Sequence, residues 1–153
     1  AVCGTNGRMD EIRAAIGRVQ LRKLAGANAA RTRCASRLRE LIDAQHIPGL
    51  MIPFGSPRGT PTPHVFLVLL PDGARREAVM AGMKDRGVQT SIHYPPLYSF
   101  TATREFFGER DWATELPVSA RIAERILTLP LAPGFSDDVL ERVANALAAV
   151  LAG

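Results

Sequence analysis

Apolar residues recur every three to four positions along the first third of the chain, which is the spacing of one helix face. The run is Met9, Ile12, Ile16, Val19 and Leu24, then, beyond Gly26, Ala30, Cys34, Leu38, Leu41 and Ile42. Asp10 is a suitable N-cap, and Glu11 stands in the first turn, where the helix dipole favours a carboxylate. The pattern predicts one helix of about 36 residues, roughly 54 Å long. We expect so long a helix to bridge two bodies or to lie along an interface, unless it folds back at Gly26 as a hairpin.

The remainder of the chain alternates between strand and helix patterns after a loop rich in proline and glycine at 46–63. Short apolar runs predict strands at 64–70, 88–93 and 127–131, the last an edge strand because Pro130 cannot donate to a ladder. Helices are predicted at 74–87, 101–107 and 117–126, and a final one is capped by Ser136 with Asp137 and Asp138 in its first turn. The fold class is therefore α/β (α+β), with a long N-terminal helix followed by a small three-stranded sheet flanked by helices.

Composition indicates an ordinary globular domain. The 153 residues are 46% hydrophobic and 22% charged, and no apolar run approaches the roughly 20 residues of a membrane span. Cys3 and Cys34 form no CxxC pair, and His46 and His64 have no acid or cysteine at metal-ligand spacing, so no metal site is predicted. We expect a cytoplasmic protein that binds no membrane.

The net charge of +4 comes from 19 basic residues, of which only Lys23 and Lys84 are lysines. A basic excess can favour a phosphate-bearing partner, but aromatic residues, at 6%, are too few for a nucleic-acid stacking surface. The arginine-rich segment at 31–39 is better explained as a solvated helix face. No nucleic-acid partner is predicted, and a basic nucleic-acid adaptor is the weakest of the functional hypotheses.

The candidate chemistry lies in the segment SIHYPPLYSF, residues 91–100. A predicted strand ends at His93 and Tyr94, and Pro95 and Pro96 then stop the ladder and stiffen the loop that leads to Tyr98. Such a loop could hold polar side chains over a ligand. The alternative is a histidine that caps a strand end beside two tyrosines at the edge of the core.

Three motifs occur in a fixed order along the chain: G-x-N-x-R-M at the front, R-G-(I/V) followed by H-Y-P in the middle, and L-P, a helix and L-x-L-P at the end. Together they resemble the C-terminal small domain of the DegT/DnrJ/EryC1/StrS family of sugar aminotransferases, which use pyridoxal phosphate, over nearly the whole chain. The matching residues are Gly4, Asn6, Arg8, Met9, Asp10, Glu11, Ala14, Ala15, Arg76, Arg86, Gly87, His93, Tyr94, Pro95, Leu116, Pro117, Leu127, Leu129 and Pro130.

The resemblance implies a domain organisation. Residues 1–153 would be the small domain of a fold-type I aminotransferase, with an interface helix at 1–45 and an α/β sandwich at 60–153. A large catalytic domain is expected upstream of residue 1. In the family that domain holds the cofactor lysine and the acid that keeps the pyridine nitrogen protonated. Neither Lys23 nor Lys84 lies in a matching motif, so we expect the chain alone to be inactive. The cofactor is expected in the complete enzyme, with no covalent bond to this chain.

The resemblance also implies the function and the site. The complete enzyme would transfer an amino group from glutamate or glutamine to a keto-sugar nucleotide. Asn6 would donate a hydrogen bond to the cofactor phosphate of a partner subunit, and Arg8 could bind the same phosphate. The alternative for Asn6 is a residue that merely adopts a left-handed turn, and the alternative for Arg8 is a structural salt bridge. His93, Tyr94 and Tyr98 would bind the nucleotide-sugar substrate, although many members have a histidine where Tyr98 stands.

The expected partners are therefore the chain's own large domain, a second subunit in a homodimer and a nucleotide sugar. The main alternative is a stand-alone interaction module, descended from such an enzyme, that kept the dimer-facing surface and lost catalysis.

Overall fold

A computed structural model of the chain describes residues 7–55, 59–108 and 110–152. It opens with the helix α1, Glu11–Asp43, which continues through Gly26 without folding back, so the prediction of one long helix is confirmed. The Asp10 carboxylate caps it by accepting a hydrogen bond from the backbone N–H of Arg13 at 2.8 Å.

Within the described residues, five further helices and two strands follow α1. The strands are β1, Phe66–Leu69, and β2, Ile126–Leu129. The helices are α2, Arg76–Asp85; α3, Thr101–Phe107; α4, Trp112–Glu115; α5, Pro117–Arg125; and α6, Asp137–Leu151. A short 3-10 helix spans Leu97–Ser99. The sequence pattern predicted all of these helices except α4 and the 3-10 turn.

The sheet is smaller than the sequence pattern predicted. β1 and β2 form a two-stranded antiparallel sheet in which Phe66 pairs with Leu129. Beyond these strands, single bridges join Met51 to β1 and Ser91 to β2. The mixed class of helix and sheet is confirmed, but the prediction of a third strand at 88–93 is wrong, and β2 has a neighbour on each side rather than lying at the edge.

The backbone chemistry of β2 explains why the third strand does not form. Ser91 and Thr128 exchange both backbone hydrogen bonds, at 3.1 and 2.8 Å. The next hydrogen-bonded positions on this side of β2 are Pro130 and Ile126. Pro130 has no N–H, and the N–H of Ile126 donates to the carbonyl of Ile122 at the end of α5. The ladder therefore stops after one pair, which leaves the chain free to turn outward immediately after Ser91.

The hydrophobic core lies between the sheet, α2, α6 and the second half of α1. Its most deeply buried large side chains include Leu38, Val68, Leu70, Met83, Leu127, Leu129, Leu140, Val143 and Leu147. By contrast, apolar residues in the first half of α1 are exposed to solvent: Ile12 is 75% exposed and Ile16 is 57% exposed. Among the described residues, none of the helices combines the length and the hydropathy that crossing a membrane would require.

Candidate functional site

A residue of β2 holds His93 at one edge of its imidazole ring. Its Nδ1 atom lies 3.0 Å from Oγ1 of Thr128 and 3.4 Å from Oγ of Ser91. Thr128 is only 5% exposed and is held in turn by the backbone pair with Ser91. His93 itself is half-buried. Its Nδ1 edge therefore contacts the protein, while Nε2 makes no hydrogen bond to any residue that the structure describes.

Tyr94 lies beside this histidine at the surface. The two rings meet edge to face, with centroids 4.8 Å apart, and Tyr94 is 74% exposed. The peptide bond between them is cis. Pro95 and Pro96 follow, and Pro96 caps the 3-10 helix. The structure therefore brings together two of the predicted substrate-binding residues, the half-buried His93 and the exposed Tyr94.

Tyr98, the third predicted substrate-binding residue, packs elsewhere. Its ring stacks on Trp112 with centroids 6.2 Å apart and planes inclined by 12°. Phe107 meets Trp112 edge to face at 6.3 Å, and the Arg110 guanidinium lies 4.7 Å from the Trp112 ring centroid. Arg110 also pairs with Glu115, its Nε lying 2.9 Å from Oε1. We refer to Tyr98, Phe107, Arg110 and Trp112 as the Trp112 cluster; it anchors the loop that begins at His93.

The helix α4 begins at Trp112 and is capped at its N-terminus by Asp111. The Asp111 carboxylate accepts hydrogen bonds from the Thr114 hydroxyl at 2.6 Å and from the Thr114 backbone N–H at 3.2 Å. These bonds, the hydroxyl first, hold the pKa of Asp111 below its ordinary value of 3.8. The cap therefore fixes the end of the segment that presents Trp112 to Tyr98.

Of the two predicted cofactor-binding residues, the structure describes Arg8, which lies just before α1. Arg8 is exposed, two residues before the N-cap Asp10, whereas Asn6 lies outside the described residues. Both lysines are exposed, Lys23 in the middle of α1 and Lys84 in the last turn of α2. Lys23 is about 18 Å along the helix axis from its first residue, Glu11.

Three residues of this region were missed by the sequence reasoning: Ser91, Trp112 and Thr128. Thr128 had a usable signal, because it is the one polar residue within the apolar strand ILTL. Trp112 is the only tryptophan of the chain, but it stands in a polar stretch that showed no helix periodicity. Ser91 carried no signal, since its role depends on where its partner strand ends.

The family model described as the DegT/DnrJ/EryC1/StrS aminotransferase family matches residues 1–148. The chain is 32% identical over 148 residues to the erythromycin biosynthesis sensory transduction protein EryC1 of Saccharopolyspora erythraea, covering 97% of this chain and 38% of that protein. It is 31% identical over 145 residues to dTDP-3-amino-3,4,6-trideoxy-alpha-D-glucose transaminase of Streptomyces venezuelae, covering 94% of this chain and 36% of that protein.

A solved structure agrees with these sequence relatives. The aminotransferase TlmJ from Streptoalloteichus hindustanus superposes with a TM-score of 0.82 at 32% identity, covering 99% of this chain and 39% of that one. The chain thus spans less than two fifths of the length of the proteins it matches. The resemblance inferred from the three motifs is confirmed by a family match over almost the whole chain. The chain therefore belongs to the DegT/DnrJ/EryC1/StrS aminotransferase family.

Proposed function

We propose that this chain is the C-terminal domain of a pyridoxal-phosphate-dependent aminotransferase that converts a keto-sugar nucleotide to an amino sugar, with glutamate or glutamine as the amino donor. The observation that carries the proposal is the edge-to-face pair of the half-buried His93 and the exposed Tyr94, in which a buried hydroxyl on β2 contacts the imidazole of His93. Family membership supports the reaction type. The nucleotide sugar is supported by the relative named as a dTDP-sugar transaminase.

The chemistry of the pair suits a sugar or a phosphoryl group. An imidazole nitrogen and a phenol hydroxyl can each form hydrogen bonds with hydroxyl or phosphoryl oxygens. Pro95 and Pro96 restrict the loop before any ligand arrives, so that little conformational entropy is lost on binding. The Trp112 cluster restrains the far end of the same loop through Tyr98. In this proposal His93 and Tyr94 contact the substrate directly, and Tyr98 acts at the loop's anchor.

The residues before α1 fit the phosphate end of the cofactor. Members of this family depend on pyridoxal phosphate, which supplies an electron sink for amino-group transfer when it is bound. Arg8 is exposed close to the positive end of the α1 dipole, and the amide of Asn6 would add a neutral donor. We assign these two residues to the phosphate of the partner subunit's cofactor. The lysine that holds the cofactor would come from the large domain, since neither Lys23 nor Lys84 lies in a sequence that resembles the family's cofactor-lysine motif.

The exposed first half of α1 fits a place between larger bodies. Ile12 and Ile16 are each more than half exposed on one side of the helix, and Met9, 76% exposed, stands just before its N-cap. A stable monomer seldom leaves a contiguous apolar patch of this kind uncovered. We propose that the large domain of the same polypeptide covers part of this face and that a second subunit covers the remainder in a two-fold dimer.

The test is an assay of the complete gene product, expressed with every residue that its reading frame encodes. Amino transfer from glutamate to a dTDP-linked 3-keto sugar is followed by mass spectrometry. We expect turnover in the parent enzyme, and His93→Ala should raise KM roughly tenfold, the effect of one lost hydrogen bond. His64→Ala is the matched control, because His64 is an exposed histidine outside the site. An absence of amino transfer with any nucleotide-linked keto sugar would contradict the proposal.

A stand-alone interaction module is the second candidate, and the uncovered apolar face of α1 favours it equally. The two candidates differ in the size of the gene product. The aminotransferase needs roughly 200 further residues, the size of a second domain. The mass of the protein isolated from its native cells separates them directly.

A further inference from the structure

Thr128 is the buried polar side chain of the described core, at 5% exposure. Its backbone N–H and carbonyl are both engaged with Ser91. Its hydroxyl is therefore left to find a partner of its own, since a buried polar group without a hydrogen bond is destabilising. Among the described residues, the hydrogen-bond partner of Oγ1 is Nδ1 of His93, at 3.0 Å.

The hydrogen on this contact can be assigned by counting donors and acceptors. A neutral imidazole carries its hydrogen on one ring nitrogen and accepts on the other. If Nδ1 of His93 donated to Oγ1, the hydroxyl hydrogen of Thr128 would lack an acceptor among the residues that the structure describes. If the hydroxyl donates to Nδ1 instead, both groups are satisfied, and the imidazole hydrogen stands on Nε2. The hydroxyl of Ser91 lies 3.4 Å from Nδ1, but Ser91 is exposed, so this hydroxyl can form its hydrogen bonds with water.

We infer that Thr128 is a positioning residue that holds neutral His93 in the tautomer with hydrogen on Nε2, so that the outer nitrogen donates to an oxygen acceptor of the substrate. The part of this inference that concerns the substrate rests on the proposed function; the tautomer itself does not. The acceptor on the ligand would be a phosphoryl oxygen or a sugar oxygen, because the Nε2–H donor of His93 hydrogen-bonds to an oxygen lone pair. The exposed Tyr94 hydroxyl, on the neighbouring residue, can serve a second oxygen of the same ligand.

Neutron diffraction from deuterated crystals of the complete protein, grown at about pH 8 where an ordinary imidazole is neutral, tests the tautomer. We expect one deuterium on Nε2 of His93 and one on Oγ1 of Thr128 directed at Nδ1. A deuterium on Nδ1, alone or together with one on Nε2, would overturn the assignment.

Titration calorimetry with dTDP tests the consequence for binding. Thr128→Val keeps the shape of the side chain and removes the hydroxyl, so dTDP affinity should fall roughly two- to tenfold. Thr128→Ser keeps the hydroxyl and should bind dTDP like the parent, which a role in packing alone does not predict. Equal affinity in the parent and in Thr128→Val, for dTDP and for a dTDP-linked hexose alike, would refute the positioning role. A parent that binds no dTDP, but shows the expected deuterium positions, would refute the nucleotide-sugar role while supporting the tautomer.

Discussion

Tyr98 and Trp112 stack with ring centroids 6.2 Å apart and planes only 12° from parallel, which ties the 3-10 helix after the His93 loop to α4. Trp112→Ala removes this stack together with the contacts to Phe107 and Arg110. We expect amide exchange in α3 and α4 to quicken by about tenfold, equivalent to roughly 1.4 kcal/mol, while exchange in α6 stays unchanged. Hydrogen–deuterium exchange with mass spectrometry measures both regions in one experiment.

Phe106→Ala is the control for this prediction. Phe106 is 81% exposed and contacts Phe107 rather than Trp112, so its loss should leave exchange in α4 at the parent rate. Equal exchange in Trp112→Ala and the parent would show that the loop is held by other contacts.

The two long helices could be predicted from sequence because each carries its own signal. The stripe of α1 and its Asp10 cap, like the apolar face of α6 after Ser136, depend on spacing that local residues fix. The third strand could not be predicted in the same way. Its failure depends on Pro130 and on the N–H of Ile126, which lie more than thirty residues away and matter only once Ser91 is paired with β2.

In the candidate site, too, features with local sequence signals could be predicted, whereas contacts between distant segments could not. His93 and Tyr94 were identified because a histidine and a tyrosine before two prolines are conspicuous in a sequence. That they share a surface depends on the local backbone, and the proposal for Thr128 depends on a contact across 35 residues of chain. The packing position of the Tyr98 ring could not be predicted, because it is set by Trp112. The helix α4 that carries Trp112 is only four residues long, too short to show a helical period in the sequence.

The Asp111 cap makes a prediction about pH. The Thr114 hydrogen bonds exist only in the folded α4, so they lower the pKa of Asp111 in the folded state relative to the unfolded state. The stability from this cap is therefore present above the ordinary value of 3.8 and is lost as pH falls through the lowered pKa. Carbon-13 NMR titration of the carboxyl should show the lowered pKa directly.

Variants of Thr114 check the cause of that shift. Thr114→Val removes the hydroxyl donor and should raise the pKa of Asp111 toward 3.8, while Thr114→Ser should leave the pKa lowered. An unchanged pKa in Thr114→Val would assign the effect to the backbone N–H instead.

The isolated chain should form no stoichiometric, site-specific covalent bond with pyridoxal phosphate. Its two lysines, Lys23 and Lys84, are exposed on helices and lie in no motif that matches the family's cofactor lysine. Incubation with pyridoxal phosphate, reduction with borohydride and digestion should therefore give only sparse, non-specific labelling. A stoichiometric pyridoxyl adduct at either lysine would defeat this expectation.

In the complete enzyme, Asn6→Ala should weaken cofactor binding more than it weakens folding. A hydrogen bond to a charged group contributes on the order of 1.5–3 kcal/mol, so the affinity for pyridoxal phosphate should fall roughly ten- to a hundredfold. Absorbance titration gives the affinity, and thermal unfolding of the apoenzyme gives the stability. Asn28→Ala, within α1, is the matched control and should bind the cofactor like the parent. Equal affinity in Asn6→Ala and the parent would return Asn6 to the role of a turn residue.

The isolated chain should self-associate through the first half of α1. The helix is continuous, so it cannot bury Ile12 and Ile16, at 75% and 57% exposure, by folding back on itself at Gly26. An uncovered apolar face of this length should find a second copy, most simply as a two-fold dimer. Sedimentation equilibrium across a concentration series should show a dimer that Ile16→Asp dissociates, whereas Ala25→Asp, which adds the same charge at an exposed position on the opposite face of the same helix, should preserve it. A parent chain that stays monomeric at tens of micromolar with its helix content intact would remove α1 as an interface, because the apolar face would then be stable in water without a partner.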